Sequence, residues 1–410
     1  MAPKSKFLLK DSPPEVIQAS DGAPKGRSYN ASYAKQPGGV RVDDLVVGMK
    51  LASLAITDNK PKTLKNTAKS NPWQEEAMTM IAGSREAAHK PLSELLKTLF
   101  NLDVDCVIDV SGIKQGRALD TQGFIAHNDE MIVLSYRCTT SALDWITNLS
   151  TTSSEWEPDV DIELGHAGWC SCILGYGCLG GSDQVKKPRV HTGFYNNFIH
   201  STPMILEHIK PLLTETEKPR KLYVCGHSLG AGIATLAAIY FLLEFEWELL
   251  PQKLIMVTAG SPRACTNSMG KIVKERLAEL RPMDKAFFCR IVLNEDVVSK
   301  VPPSGIGYTH VGRLVYITKD GEILINPSND HILDADDVEI QKLIVDSQKP
   351  EQRPEEENDD SSSTLKERNE KYEKMLKMIP GPFKDHMPDF YLQPLVRLFE
   401  KEKNGATFEK

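Results

Sequence analysis

The chain has 410 residues, 40% of them hydrophobic and 26% charged, which allows one large α/β domain or two smaller ones of ordinary globular composition. Its net charge of −7 excludes a large basic nucleic-acid surface, so no nucleic-acid partner is expected. Eight cysteines in a chain this long, with no visible leader, predict reduced thiols in the cytosol rather than a disulfide framework.

Residues 1–41 carry seven Lys/Arg against three Asp/Glu, with Pro, Ser and Gly and no apolar period, and predict a mostly disordered basic tail. "MAPKSKFLLKDSPP" holds only a three-residue apolar run, short of the roughly 7–15 residues of a secretory h-region. No run reaches transmembrane length either, since Ala231 to Leu243, about 13 residues, stops at Glu244. Residues 42–102 are helical in character, as in "EEAMTMIAGSREAA" and "PLSELLKTLF". From about residue 103 the pattern turns to strands. "GFIAHNDEMIVLSYR" predicts a hairpin turning at His127-Asn128-Asp129. "KLYVC", "KLIMVTAG" and "FFCRIVLN" are short apolar runs between turn residues and predict buried parallel strands, covered on both faces. Helical segments separate the strands: "NNFIHSTPMILEHIKPLL" and "GIATLAAIYFLLEFEWELL". Such alternation predicts an α/β fold, a mostly parallel central sheet flanked by helices, formed by residues 42–410 as one domain. "LVYITKDGEILIN" adds a hairpin with an Asp320-Gly321 turn. Residues 347–370 are charged and of low complexity, and predict a surface insertion inside that domain.

The stretch "YVCGHSLGAG", residues 223–232, carries the chemistry. A lone G-x-S-x-G occurs often by chance, and its context is what raises it. A serine on a tight strand-to-helix turn has unfavourable backbone angles, and close passage of the chain requires neighbours without a Cβ two residues before and after it. Gly226 and Gly230 occupy those positions, a strand precedes them, and an apolar helix opens at Ala231. Gly232 is expected to let that helix lie close to the sheet. Such a turn lifts the Ser228 hydroxyl above the C-terminal edge of the sheet, where open α/β sheets bind ligands, and points a helix N-terminus at a developing oxyanion. His227, next to the nucleophile on the turn, is expected to point away from it and pack beneath.

"GHSLGAGIATLAA" is similar to the nucleophile elbow of the class 3 (fungal-type) lipases, which have the α/β-hydrolase fold. Further blocks resemble that family in its own order: "DTQGFIAHNDEMIVLSYRCTTSALDWITNL", "VHTGFYNNF", "TAGSPRA", "NEDVVSKVPP" and "YTHVGRLVYI". The resemblance covers roughly residues 70–395, with the charged insertion as a gap. It implies a Ser, Asp/Glu, His order for the catalytic residues. Asp296 follows the strand "CRIVLN" at its C-terminal end and matches the family's acid position, with Glu295 expected to point the other way. Glu244, Glu246 and Glu248 are read on the helix after the elbow, facing its flank. Three of the ten histidines lie downstream of Ser228. His310 matches a family position that packs near the following strand and is not the base. His331 and His386 both follow an aspartate, and the residues alone leave both open. "DHMPDFYL" is more similar to the family's Asp-His turn before a final helix, which implies His386 as the base.

The resemblance also places the oxyanion hole at the backbone N–H of Leu229 and at Thr139, in Arg137-Cys138-Thr139. Cys138 stands where the family carries glycine, a departure that puts the geometry of the hole in question. Asp144 and Trp145 match a structural motif of the family. Residues of about 150–190 correspond to its lid, with Trp169, Ile173, Leu174, Tyr176 and Leu179 among flexible glycines, and imply transient contact with a membrane or lipid-droplet interface. Cys170, Cys172 and Cys178 fit a metal site poorly, for want of a fourth ligand, or mark an acylation site. The implied activity is a serine carboxylester hydrolase acting on acylglycerols, a lipid ester substrate, with no cofactor and no metal, in the cytoplasm or peripheral at a membrane or lipid droplet. The alternatives are a catalytically silent lipase-like interaction protein and a phospholipase or esterase with the same three residues.

Overall fold

The structure is a computed structural model that describes residues 27–28, 41–55, 72–114, 117–138, 152–157, 187–215, 217–325 and 381–403. The N-terminal half is built from β1 (Arg27–Ser28), helices α1 (Val42–Leu54), α2 (Pro72–Ala82), α3 (Arg85–Ala88) and α4 (Leu92–Phe100), and strands β2 (Asp103–Lys114), β3 (Arg117–His127), β4 (Met131–Tyr136), β5 (Ser153–Glu155) and β6 (Arg189–His191). There follow α5 (Thr192–Thr214), β7 (Lys221–His227), α6 (Leu229–Glu244), β8 (Lys253–Ala259), β9 (Cys265–Thr266), α7 (Asn267–Leu280) and β10 (Ala286–Leu293). The last elements are β11 (Tyr308–Thr309), β12 (Arg313–Ile317), β13 (Ile323–Ile325), α8 (Gly381–Lys384) and α9 (Pro388–Lys403).

Nine strands form the main sheet in the order β1-β13-β12-β10-β8-β7-β4-β3-β2. The five central strands β12, β10, β8, β7 and β4 are mutually parallel, and antiparallel hairpins flank them on both sides. Parallel pairing follows from the sequence, because β7, β8 and β10 are apolar almost throughout and must be covered on both faces. Alternate residues then serve two cores. Leu222 and Val224 face a layer of α5, α6 and α7, while Tyr223 and Cys225 face α1, α2, α4 and α9. The arrangement is an α/β fold with a mostly parallel central sheet flanked by helices, the architecture expected from the resemblance to the α/β-hydrolases. The hairpins expected at His127-Asn128-Asp129 and Asp320-Gly321 are both present. A second, four-stranded sheet joins β5, β6, β9 and β11 beside the main one.

Helix α6 is buried along nearly its whole length, and its apolar residues occupy all sides rather than one stripe, as expected of a helix enclosed by protein. It ends at Glu244, short of the helix through Leu250 that the apolar pattern predicts. Phe245 is extended, and buried Trp247 turns back so that its indole N–H donates to the Phe241 carbonyl at 2.8 Å. Glu246 and Glu248 therefore lie beyond the helix, not on its flank, and Glu248 pairs with Arg276 at 2.6 Å. Gly232 also has a different role from the one expected. A Cβ there would sit 2.6 Å from the Phe194 ring, so it admits α5 rather than the sheet.

Within the segment read as an N-terminal tail, Arg27–Ser28 pair antiparallel with β13 and extend the sheet edge. Among the described residues no helix is long and apolar enough to cross a membrane. The charged insertion 347–370 lies outside the described residues.

Candidate active site

Ser228 lies between the end of β7 and the start of α6, with φ 58° and ψ −127°. That backbone conformation is rare for a residue with a Cβ, and it is the strain a nucleophile elbow stores. Its two glycine neighbours are there for want of room. A Cβ on Gly226 would lie 2.4 Å from the Gly230 carbonyl oxygen, and one on Gly230 would lie 2.4 Å from the Tyr136 carbonyl oxygen at the end of β4. The Ser228 N–H donates to the Ala259 carbonyl at 3.1 Å, tying the elbow to the end of β8. Ser228 Oγ is buried and has no hydrogen-bond partner among the described residues.

Asp296 follows β10 and is fully buried. Its carboxylate accepts from the Val298 N–H at 2.8 Å and from the Tyr391 hydroxyl at 2.5 Å. His386, on the turn between α8 and α9, directs Nδ1 at both carboxylate oxygens, 3.0 and 2.9 Å away. A carboxylate only accepts, so Nδ1 carries the proton and Nε2 of the neutral ring is the free base. Nε2, like Ser228 Oγ, is buried without a hydrogen-bond partner among the described residues. The structure thus brings together the imidazole, on a turn between two helices, and the acid, on the loop that follows β10.

Other residues fix this geometry without having been singled out from the sequence. Gly260, at φ +53°, leaves room for the pair, since a Cβ there would lie 2.7 Å from Asp296 Oδ2 and 2.8 Å from His386 Nδ1. Asp385 accepts from Asn294 Nδ2 at 2.8 Å and from the Glu295 N–H at 3.2 Å, which fastens the turn bearing the imidazole to the loop bearing the acid. Glu295 itself is exposed. Tyr391 is pushed far above the ordinary phenol range by burial and by the Asp296 charge, and stays a hydrogen-bond donor at any working pH. The signal for it was the aromatic cluster of "DFYL", but only the packing of α9 decides which ring reaches Asp296.

The family described as lipase (class 3) matches residues 133–305, a stretch that holds the elbow and the acid loop. Over that stretch the chain is similar to the class 3 lipases. A secreted mono- and diacylglycerol lipase of Gibberella zeae is 28% identical over 207 residues, 48% of this chain and 46% of the relative. A chloroplastic phospholipase A(1) of Arabidopsis thaliana is 30% identical over 176 residues, 42% of this chain and 33% of that protein. The match therefore spans about half, or less, of these two curated relatives. A crystal structure of a lipase from Rhizopus microsporus var. chinensis superposes with a TM-score of 0.46 at 18% identity, over 77% of this chain and 89% of that one.

The remaining lipase-type positions fall as follows. Leu229 is the first residue of α6, so its N–H is one of those that the helix leaves without an internal acceptor. Thr139, Asp144, Trp145, His331, Cys170, Cys172, Cys178 and the centre of the lid segment lie outside the described residues. Cys138 is buried, and burial pushes its thiol up to about 12, so it is a protonated, unreactive thiol at neutral pH. His310 donates from Nε2 to the Ser299 carbonyl at 2.7 Å, and burial together with Arg290 and Arg263 holds its ring neutral. It braces the loop that carries Asp296. The flanks of the lid segment pair as β5 and β6, with Arg189 against Glu155 and Lys187 against Glu157.

Proposed function

We propose that the protein is a serine hydrolase of carboxylic esters, with acylglycerols as the substrate class. The observation that supports this best is the pair of unmatched buried atoms, Ser228 Oγ and His386 Nε2, at the edge where Asp296 holds His386 Nδ1. Folded proteins rarely leave buried polar atoms unmatched, and a reacting ester would supply the missing partner. In this reading Ser228 attacks the ester carbonyl while His386 Nε2 takes its proton. Asp296 keeps the imidazole in the required tautomer and stabilises the imidazolium. The N–H of Leu229 and the Thr139 segment receive the tetrahedral oxyanion, with the N-terminus of α6 adding favourable potential. His386 then protonates the departing alcohol, and water enters to release the acyl group from Ser228.

Acylglycerol is named because similar proteins include secreted mono- and diacylglycerol lipases, and the apolar centre of the 150–190 segment suits a lipid interface. Cytoplasmic residence with peripheral attachment to a membrane or lipid droplet goes with the same reading. The test is labelling by a fluorophosphonate probe, followed by hydrolysis of emulsified diacylglycerol and of phosphatidylcholine. Labelling that disappears in Ser228→Ala, with faster turnover of diacylglycerol, is the expected result. Faster turnover of phosphatidylcholine would make the protein a phospholipase, as one relative is. Absence of Ser228-dependent labelling would make it a silent member of the family.

A further inference from the structure

His227 stands directly before Ser228 and is buried, yet the reaction above gives it nothing to do. Its Nε2 lies 2.9 Å from the main-chain carbonyl of His386. A carbonyl oxygen only accepts, so Nε2 carries the proton and Nδ1 of the neutral ring bears a lone pair. That Nδ1 is buried without a hydrogen-bond partner among the described residues. The ring also stacks on the His386 imidazole, with centroids 4.6 Å apart and planes 27° from parallel, and Tyr391 closes it edge-on at 5.9 Å.

The contacts of His386 divide the work of placing it. Its Nδ1 bond to Asp296 sets the rotation of the imidazole. Its carbonyl bond to His227 sets how far the whole turn stands from the elbow, because His227 is covalently joined to Ser228. We propose that His227 is a positioning residue: its Nε2–H docks the backbone of the His386 turn onto the elbow, fixing the reach of the base to the nucleophile. The inference rests on the reading of Ser228, Asp296 and His386 given above.

Charge supports the same role. Burial first, and the neighbouring His386 second, hold His227 well below the ordinary histidine range. When His386 accepts the Ser228 proton it becomes a cation stacked on this ring. A neutral neighbour permits that, whereas a second imidazolium at 4.6 Å would oppose it.

Three variants test the proposal. His227→Phe keeps an aromatic ring and loses the donor. His227→Asn keeps a polar group that falls short of the carbonyl. His227→Gln places an amide N–H where Nε2–H now lies. Two readouts are taken: kcat and KM for ester hydrolysis, and the low-field proton resonance of His386 Nδ1–H, which needs no turnover. In Phe and Asn, kcat is expected to fall about 10- to 100-fold, as for a base displaced by a fraction of an ångström to an ångström, with KM within about two-fold. The resonance shifts or broadens in both. In Gln, kcat returns to within about five-fold of wild type and the resonance is kept. The proposal is overturned if whichever of Phe and Asn folds keeps wild-type kcat and resonance, or if Gln loses as much as they do. If wild type shows no Ser228-dependent labelling, the catalytic reading fails separately. The resonance then decides alone, and its persistence in the Phe or Asn variant refutes the docking role.

Discussion

Strand β7 runs between two buried carboxylates that share a design and differ in purpose. At its start, Asp44 of α1 accepts from Lys221 Nζ at 2.8 Å and from the Tyr223 hydroxyl at 2.5 Å. Beyond its end, Asp296 accepts from His386 Nδ1 at 2.9 Å and from the Tyr391 hydroxyl at 2.5 Å. Each buried acid is thus matched by a nitrogen donor and a phenol, as burial of a charge requires. Burial pushes both tyrosines far above the usual phenol range, so perturbed titration marks both ends equally and cannot tell them apart. Two other features do. None of Asp44, Lys221 and Tyr223 carries an unmatched buried side-chain atom, whereas Ser228 and His386 do. The positive φ of Ser228 has no counterpart at Asp44, which lies in a regular helix. Because Arg220 Nε, just before β7, is also buried and unmatched, it is the combination of such atoms with the stored backbone strain of Ser228 that separates the edge proposed to react from the one that holds the fold together.

The sharpest way to break this comparison is to make the same substitution at both ends. Asp296→Asn keeps the shape and loses the charge that orients His386, and kcat is expected to fall about 10⁴-fold. Asp44→Asn removes the charge that pairs with half-exposed Lys221 and weakens the bond from Tyr223, and is expected to cost about 1 kcal/mol of stability in urea denaturation. Its turnover per folded molecule, by active-site titration, stays within about two-fold of wild type. A large turnover loss in Asp44→Asn, or a purely structural loss in Asp296→Asn, would erase the distinction.

Two buried histidines make the edge that carries Ser228 sensitive to acid. Burial holds His227 and His310 neutral in the folded protein, with ordinary values of 6.5 once exposed. Above pH 6.5 both states are neutral at these sites and nothing is lost. As pH falls below it, the unfolded chain gains protons that the folded one refuses, so stability declines by up to about 2.7 kcal/mol per pH unit for two such groups. His227→Phe removes one of them and should lessen the slope between pH 6.5 and 5 in urea titrations by up to about 1.4 kcal/mol per pH unit. An unchanged slope would place the acid lability away from the reactive edge.

How much of this could be read in the sequence depends on how local each signal is. The elbow was legible because its strand, serine, glycines and helix are contiguous, and each is forced by sterics within five residues. The parallel strands were legible because continuous apolar runs between turns have few other homes. The choice between His331 and His386 was not local. Both follow an aspartate, and what sets His386 apart is a contact across 90 residues with Asp296, made only once α9 has packed. The end of α6 was misread for a related reason, since "FEWELL" continues a helical pattern until Trp247 folds back onto Phe241. Tertiary packing overrode propensity there. Tyr391, Gly260 and Asp385 escaped because tyrosine, glycine and aspartate in loops and amphipathic helices are ordinary until their neighbours are known.

The smallest effect is expected at the far end of α6, where the helix that begins just after Ser228 finishes at Glu244. The two ends of one helix are electrostatic opposites. The N-terminus favours the oxyanion proposed at Leu229, while the C-terminus, with no basic residue in its last turn, disfavours a carboxylate. Burial pushes Glu244 up from 4.5 to about 7. Below pH 4.5 the side chain is protonated in both states and carries no penalty. Between 4.5 and 7 the unfolded chain releases a proton that the folded one still holds, so stability falls as pH rises, and above 7 the penalty is complete. Glu244→Gln cannot ionise and should be more stable than wild type at pH 8, by about 1 kcal/mol once solvent screening of its partly exposed carboxyl is allowed for. That gain should vanish at pH 4, and turnover should not change. Equal gains at both pH values would assign the effect to packing, whereas a gain confined to pH 8 would show that the closing end of α6 opposes the kind of charge its opening end is proposed to stabilise.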